Sequence, residues 1–211
     1  MNALKLPDMV GTLLDGPRPL PIVQAGDPVL RRPAAPYDGQ LDDGLLARLV
    51  EAMKATMHAA PGVGLAAPQI GVPLRIAVLE DPGGPGGEIS DVRERVPLPF
   101  RVLVNPAYDA VGSRRAAFYE GCLSVSGWQA VVSRPAAVRL RGTDERGRPL
   151  DEEVTGWPAR IVQHETDHLN GTLYLDRAEI RSLASQESVL ERWSQPRADL
   201  AAQELGFSLP D

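Results

Sequence analysis

Residues 163–171 read Gln-His-Glu-Thr-Asp-His-Leu-Asn-Gly, and this stretch determines how the rest of the chain is interpreted. It contains the pattern H-E-x-x-H inside an apolar, helix-like run. On a helix, His164 and His168 lie one turn apart on the same face, so both imidazoles can bind one metal ion. Glu165 follows the first of them, where a carboxylate can take a proton from metal-activated water. The pattern therefore predicts a metal-binding helix at the centre of the fold.

Two histidines do not complete a hydrolytic site, which usually has three protein ligands and one position for water. The chain has a single cysteine, Cys122, within Glu-Gly-Cys-Leu-Ser over residues 120–124. The adjacent glycine allows close backbone approach, and the flanking residues favour a strand that ends or bends here. A lone cysteine is most often a small buried hydrophobic residue. Because Cys122 is the one thiolate that the chain offers, it is also the candidate third ligand.

A third cluster, Gly-Val-Gly-Leu-Ala-Ala-Pro-Gln-Ile-Gly, occupies residues 62–71 between a predicted helix and a predicted strand. Its glycines permit the backbone to pass close to another chain or a ligand. Gln69 offers a neutral amide donor that can stabilise an oxyanion without competing for the metal. Taken alone, this cluster is more often a connector between a helix and a strand.

Together and in this order, the three clusters resemble those of the bacterial peptide deformylase family. The matching motifs are G-x-G-L-A-A-x-Q at 62–69, E-G-C-L-S at 120–124 and Q-H-E-x-D-H at 163–168. The resemblance spans about residues 20–178. It implies a metal-dependent hydrolase that removes the formyl group from N-formylmethionyl peptides and releases formate.

The roles of individual residues are expected as follows. Glu165 takes a proton from water and returns it to the leaving amine. The resemblance implies that the Gln69 side-chain amide and the Leu123 backbone N–H meet the developing oxyanion. The expected metal ligands are Cys122, His164 and His168.

The substrate pocket departs from the family pattern. Four residues before His164, where the family usually has an apolar side chain, this chain has Arg160, and Gln129 stands where many members carry an arginine. We expect the Arg160 stem to line the methionine pocket while its guanidinium reaches water at the rim. The alternative is contact between the guanidinium and substrate carbonyls. The residues expected to contact the substrate are Val63, Gly64, Gly121, Trp157, Arg160 and Ile161.

Acidic side chains near the ligands are expected to orient them. A metal-bound imidazole usually donates its other N–H to a carboxylate or carbonyl, and Glu120 is the candidate partner of His164. Asp167 is expected either to pair with Arg134 or to be exposed to solvent.

Ligand softness allows zinc, iron(II), cobalt or nickel. The resemblance implies Fe(2+) in cells, with Zn(2+), Ni(2+) or Co(2+) after purification. A zinc endopeptidase built on the same helix is the first alternative, and Glu179 would be its downstream third ligand. A non-catalytic protein that binds peptides or ribosomes through the same groove is the second alternative.

Composition agrees with a compact enzyme of one domain. The chain has 211 residues and a net charge of −6, without a dense Lys/Arg run of the kind that binds nucleic acid. Residues 1–16 lack the charged start and long apolar core of a signal peptide, and no stretch approaches the length of a membrane span. We expect a cytoplasmic monomer that acts on nascent chains at the ribosome.

The order of predicted elements favours an α+β fold, with mostly antiparallel sheets around the motif helix. Apolar spacing predicts a helix over 41–60, and Pro158 and Gly171 are expected to bound the motif helix. Residues 81–99, dense in Gly and Pro, predict a loop. A further helix is predicted over 177–195, with Leu183, Val189, Leu190 and Trp193 as its docking stripe. We expect a catalytic domain over 1–178, with an extension at 1–20, and a helical tail at 179–211 docked on it.

Overall fold

A computed structural model describes residues 5–84 and 86–209. The described residues form an α+β fold, as the order of the sequence elements predicts. The helices are α1 (Leu6–Leu14), α2 (Asp43–Ala59), α3 (Glu88–Val92), α4 (Gly156–Leu169), α5 (Gln186–Arg192) and α6 (Asp199–Leu205).

The strands form two antiparallel sheets. One has five strands in the order β1-β2-β3-β6-β7, and the other has three in the order β4-β5-β8. The strands are β1 (Gly64–Ala66), β2 (Ile76–Asp81), β3 (Leu98–Ala110), β4 (Arg115–Cys122), β5 (Val125–Pro135), β6 (Ala137–Thr143), β7 (Pro149–Thr155) and β8 (Ala178–Ser185).

Helix α4 carries the H-E-x-x-H pattern and packs against the five-stranded sheet. It begins two residues before Pro158 and ends two before Gly171, so the predicted helix is confirmed. Gly171 has a φ of +74°, and a Cβ there would lie 2.8 Å from the Arg31 carbonyl carbon. The chain can therefore leave the helix at this point only with a residue that has no side chain.

Helix α2 buries its apolar face on the same sheet, which positions the sheet against the site. Leu49, Met53 and Met57 are fully buried, as the helical spacing of the sequence predicts. Helix α1, which the sequence analysis did not predict, adds Val10 and Leu14 to this core.

The predicted helix over 177–195 is wrong in its first half. Residues 178–185 form β8, which pairs with β5, and helix α5 covers only 186–192. Pairing with a neighbouring strand outweighs local helical spacing here. The predicted docking stripe is also wrong in part, because Leu183 and Leu190 are 38% and 67% exposed.

The rest of the tail packs on the three-stranded sheet. Buried Val189 and Ala201 contact a cluster that includes Tyr119 and Val131, and Trp193 packs against its edge. Of the residues described, no helix is both long enough and apolar enough to cross a membrane.

Candidate active site

Three potential metal ligands converge where α4 meets the end of β4. One ligand atom each from Cys122, His164 and His168 lies within 4.8 Å of the other two. The Cys122 Sγ is 3.2 Å from His168 Nε2. The helix supplies both histidines from one face, and the register shift that ends the pairing of β4 with β5 falls at Cys122. The sequence prediction thus named three residues that the fold brings together.

The Cys122 sulfur accepts hydrogen bonds from two nitrogen donors. The backbone N–H of Ser124 lies 3.4 Å from Sγ, and the Gln69 side-chain nitrogen lies 3.6 Å from it. N–H groups directed at a sulfur stabilise its thiolate form, which is the form that binds a metal.

Gln69 is held in one orientation by its own amide. Its side-chain oxygen accepts from the Ala66 N–H at 2.8 Å, so its nitrogen must face Ser124 Oγ and the Cys122 sulfur. The side chain is 2% exposed. A buried amide with a fixed donor can serve a developing negative charge without reorganising.

Glu120 connects the ligand His164 to two arginines. Its carboxylate accepts from His164 Nδ1 at 3.1 Å, from Arg134 Nε at 2.6 Å, and from Arg160 Nη1. Burial would raise the pKa of the Glu120 carboxyl, but Arg134, Arg160 and His164 hold it well below its usual value. The predicted Glu120–His164 contact is confirmed, and it leaves Nε2 of His164 free to face the metal site.

The expected position of the Arg160 guanidinium at the rim is wrong. The side chain is 6% exposed, and its guanidinium donates to Glu120 and to the carbonyls of Val132 and Ala116. The Cζ atom lies 5.1 Å from the centre of the Phe118 ring. The sequence showed the distance of Arg160 from His164 along the helix, but it did not show that Glu120 and two strand carbonyls surround that position.

Asp167 is fully enclosed, which excludes the solvent-exposed alternative. It accepts from Arg134 at 2.8 Å, as predicted, and also from Arg177 and from the Tyr108 hydroxyl. Arg134 therefore lies between two buried carboxylates, and this network fixes α4 against β5.

Glu165 lies at the site on the side of β1. Burial raises the pKa of its carboxyl to about 7 against the opposing effects of His164 and Arg134. Its Oε2 is buried and has no hydrogen-bond partner among the described residues. A Cβ on Gly64 would lie 2.3 Å from Glu165 Oε1, so only glycine lets β1 pass this carboxylate.

An open cavity of about 440 Å³ extends from these groups. All the predicted substrate-contacting residues line it, together with Gln69 and Leu123. Several further residues line the cavity without a role predicted from the sequence. They come from the segment before β3, from β4 and β5, and from α5. They include Arg93, Tyr119, Trp128 and Gln186.

Glu179, the third ligand that a zinc endopeptidase would need, lies elsewhere. It is on β8, and its carboxylate accepts from the Arg181 backbone N–H. The cluster of potential ligand atoms does not include it.

The side chains present fit one divalent metal ion. One cysteine sulfur and two imidazoles form a ligand set that allows zinc, iron(II), cobalt or nickel, and an open cavity leaves room for a fourth ligand. The unpartnered Oε2 of Glu165 lies beside this set as a group that can accept a proton.

Comparison with known proteins identifies relatives of the whole chain. Residues 19–183 match the polypeptide deformylase family. The chain is 71% identical to peptide deformylase 3 of Streptomyces avermitilis, over 98% of this chain and 92% of that protein. It is 41% identical to the human mitochondrial peptide deformylase, over 78% of this chain and 70% of that protein.

Solved structures that are similar to this chain are also peptide deformylases. A Met-Ala-Ser-bound peptide deformylase from Acinetobacter baumannii superposes with a TM-score of 0.67 at 35% identity, covering 75% of this chain and 97% of that one. An actinonin complex of the Synechococcus elongatus enzyme gives 0.65 at 33% identity, covering 92% and 90%. The chain therefore belongs to the polypeptide deformylase family, metal-dependent hydrolases that remove the N-formyl group from nascent peptides.

Proposed function

We propose that Cys122, His164 and His168 hold one divalent metal ion and that Glu165 is the catalytic proton carrier beside it. The observation that carries this assignment is the convergence of the three ligand atoms within 4.8 Å next to the buried carboxylate of Glu165. A bound ion supplies Lewis acidity, which lowers the pKa of water and polarises the formyl carbonyl. We propose Fe(2+) as the ion in cells, with Zn(2+), Ni(2+) or Co(2+) able to replace it.

Glu165 transfers the proton. Its raised pKa of about 7 lets the carboxylate accept a proton from the attacking water near neutral pH and then donate it to the leaving amine. The formyl C–N bond breaks, and the products are formate and a free N-terminal amine. Burial beside Gly64 restricts the carboxylate to a position close to the metal ligands.

Two donors stabilise the negative charge that develops on the formyl oxygen. The Gln69 side-chain nitrogen is already directed at the site by the Ala66 N–H, and Leu123 contributes its backbone N–H next to Cys122. Donors fixed in advance of the reaction are worth more than mobile ones, because they need no reorganisation.

The cavity binds the N-terminal residues of the substrate. Val63, Trp157 and Ile161 supply apolar surface for the methionine side chain. Gly64 and Gly121 also line the cavity, where their backbone can contact the peptide. Arg160 supports this wall through its contacts with Glu120 rather than by touching substrate.

The physiological substrates are nascent chains that begin with N-formylmethionine, and we propose that the protein meets them in the cytoplasm at the ribosome as a monomer. We propose residues 1–178 as the catalytic domain, with 1–20 as an extension, and 179–211 as a tail docked on it. The first part of that tail is the paired strand β8.

The decisive experiment is anaerobic purification followed by metal analysis and measurement of formate release from formyl-Met-Ala-Ser. We expect one metal ion per chain and turnover that a chelator abolishes and Fe(2+) restores. A casein digest under the same conditions tests the endopeptidase alternative, for which we expect no cleavage. Peptide binding without turnover in the metal-loaded protein would instead favour the non-catalytic alternative.

A further inference from the structure

Residues 93–95, which follow helix α3, are held against the rim of the cavity at three points. The Arg95 guanidinium pairs with both oxygens of Asp81, each at 2.9 Å, and the Asp81 side chain is fully buried. Glu94 pairs with Arg114 through both of its oxygens. The Glu94 carbonyl also accepts from the backbone N–H of Trp157 at 3.3 Å.

Residues 93–95 reach this position through an unusual backbone conformation at Glu94. Glu94 has a φ of +50°, a region that costs a residue with a side chain about 1 kcal/mol. On the facing helix, a Cβ at Gly156 would lie 2.6 Å from the Glu94 carbonyl oxygen, so only glycine permits this approach. Such strain persists where the surrounding contacts specify it. The neighbouring residue, Arg93, lines the active-site cavity.

Arg93 lies over two aromatic rings, one of which, Trp157, lines the cavity. Its Cζ atom is 5.1 Å from the centre of the Trp157 ring and 5.6 Å from that of Phe118. These distances allow cation–π attraction. The side chain lines the same cavity as the metal ligands.

No acidic side chain compensates this cation within the described ranges. The charged groups that act on Arg93 are Arg95 and Arg160, and burial together with these like charges lowers the pKa of the Arg93 guanidinium. Its Nε is buried without an acceptor among those residues. The nearby carboxylate of Glu120 is already shared by Arg134, Arg160 and His164. The wall around Trp157 therefore carries a positive charge with unused hydrogen-bond donors.

We propose that Arg93 is a specificity-determining residue that binds a carboxylate carried by the formylated peptide. A guanidinium presents paired N–H donors that match the two oxygens of a carboxylate, and the surrounding rings exclude part of the water that would screen the pair. This proposal rests on the function proposed above and adds a preference for acidic residues near the N-terminus of the substrate.

The fold indicates which substrate residues Arg93 can reach. Trp157 precedes His164 by seven residues on α4, and at 1.5 Å per residue its Cα lies about 10 Å along the helix axis from that of His164. An extended peptide covers about 10 Å in three residues. Because the first residue of the substrate is methionine, the second and third residues are the candidates for carrying the carboxylate.

The test compares kcat/KM for amidated peptides that differ by one charge. The pairs are formyl-Met-Glu-Ala against formyl-Met-Gln-Ala, and formyl-Met-Ala-Glu against formyl-Met-Ala-Gln. We expect the wild-type protein to favour the acidic member of at least one pair by about fivefold at low salt, and the ratio to fall as ionic strength rises. Arg93→Met should bring that ratio to one. Formyl-Met-Ala-Ala with a free or amidated C-terminus shows whether a terminal carboxylate serves equally well.

Two further variants separate charge recognition from structural damage. Arg93→Lys keeps the charge but loses the paired donors, so its ratio should lie between those of the wild type and Arg93→Met. Arg146→Met removes an equally charged side chain that is 72% exposed in the β6–β7 hairpin, and it should keep the wild-type ratio. Thermal unfolding of each variant reports whether the substitution destabilises the fold.

Three results would overturn the specificity proposal, and a fourth would refute the proposed function. A wild-type ratio of one in both pairs, or a ratio that Arg93→Met leaves unchanged, overturns the specificity proposal. An equal rise in KM for acidic and neutral peptides in Arg93→Met also overturns it, because it indicates uniform contact with the peptide backbone. Absence of turnover by the wild-type protein with every peptide would instead refute the proposed function.

Discussion

Glu120 is the residue on which the buried charges of the site depend. Its carboxylate contacts His164, Arg134 and Arg160, and Arg134 continues to Asp167. A buried charge is tolerated only when it is paired and hydrogen-bonded. His164 is therefore oriented by a network in which removing Glu120 would leave the buried Arg160 without a carboxylate.

The ligand assignment predicts an asymmetry between substitutions. Cys122→Ala and His168→Ala should each abolish stoichiometric metal binding and turnover, since a site with two protein ligands binds weakly. Glu165→Gln should retain the metal and lose turnover, because Glu165 transfers protons and is not a ligand. Metal analysis and formate release measure both effects. Loss of the metal in Glu165→Gln, with the three ligands intact, would contradict the assigned roles.

The buried contacts of Arg160 predict that replacing this residue changes stability rather than substrate binding. Arg160→Met removes its bond to Glu120 and leaves the carbonyls of Val132 and Ala116 without this donor. We expect the free energy of unfolding to fall by about 2 kcal/mol, as measured by urea denaturation. The exposed Arg146 provides a control, and Arg146→Met should change it by less than about 0.5 kcal/mol. Equal stability of the two variants would show that the buried network contributes nothing.

Residue-level prediction from the sequence was limited by partners that lie far away in the chain. The contacts of His164 with Glu120 and of Asp167 with Arg134 were predicted because the chemistry of each residue requires a partner of one kind. Arg160 was placed wrongly because three acceptors, Glu120 and the carbonyls on β4 and β5, become neighbours only after the sheet forms.

At the level of elements, β1 and α4 meet at a contact that only glycine permits. The Cβ of Gly64→Ala would overlap the Glu165 carboxylate, with 2.3 Å to its Oε1. Because a displacement of about 1 Å at a catalytic group can cost 100-fold in rate, we expect kcat to fall at least tenfold while the metal stays bound. Steady-state kinetics with metal analysis test this. Unchanged kcat would mean that Glu165 does not act from its position against β1.

A glycine in helix α1 provides the control for the substitution at Gly64. Gly11 lies inside the helix, and no atom lies within 4 Å of a Cβ built there. Gly11→Ala should raise the free energy of unfolding by about 0.5 to 1 kcal/mol, because alanine loses less backbone entropy in a helix. Urea denaturation measures the change, and turnover should remain at the wild-type level. A loss of stability would indicate that α1 is not helical in solution.

The elements that could be predicted are those with strong internal patterns. Helices α2 and α4 have apolar spacing and clear ends, and the strands from β2 to β7 alternate or run apolar. The sequence pattern does not distinguish strand β8 from a helix, because residues 178–185 gain their strand conformation from hydrogen bonds to β5. Strand β1 has only three residues, too few for a period to be recognised.

At the scale of the whole molecule, both sheets contribute to the site, and the tail packs on the smaller one. The five-stranded sheet supports α4, while the three-stranded sheet carries Cys122 at the end of β4. The tail packs on the outer face of the smaller sheet, where Val189 and Ala201 contact Tyr119 and Val131. Tyr119 lines the cavity on the same strand as Cys122, so docking of the tail stabilises the strand that carries Cys122.

Adjacent residues on α5 test this docking. Val189 is 7% exposed and Leu190 is 67% exposed. Val189→Ala removes two buried methyl groups and should lower the free energy of unfolding by about 2 kcal/mol. Leu190→Ala removes a larger side chain from water and should change it by less than about 0.5 kcal/mol. Urea denaturation of the metal-loaded protein measures both values. If Val189→Ala cost no more than Leu190→Ala and neither changed the free energy of unfolding, α5 would not be packed on β4 and β5 in solution.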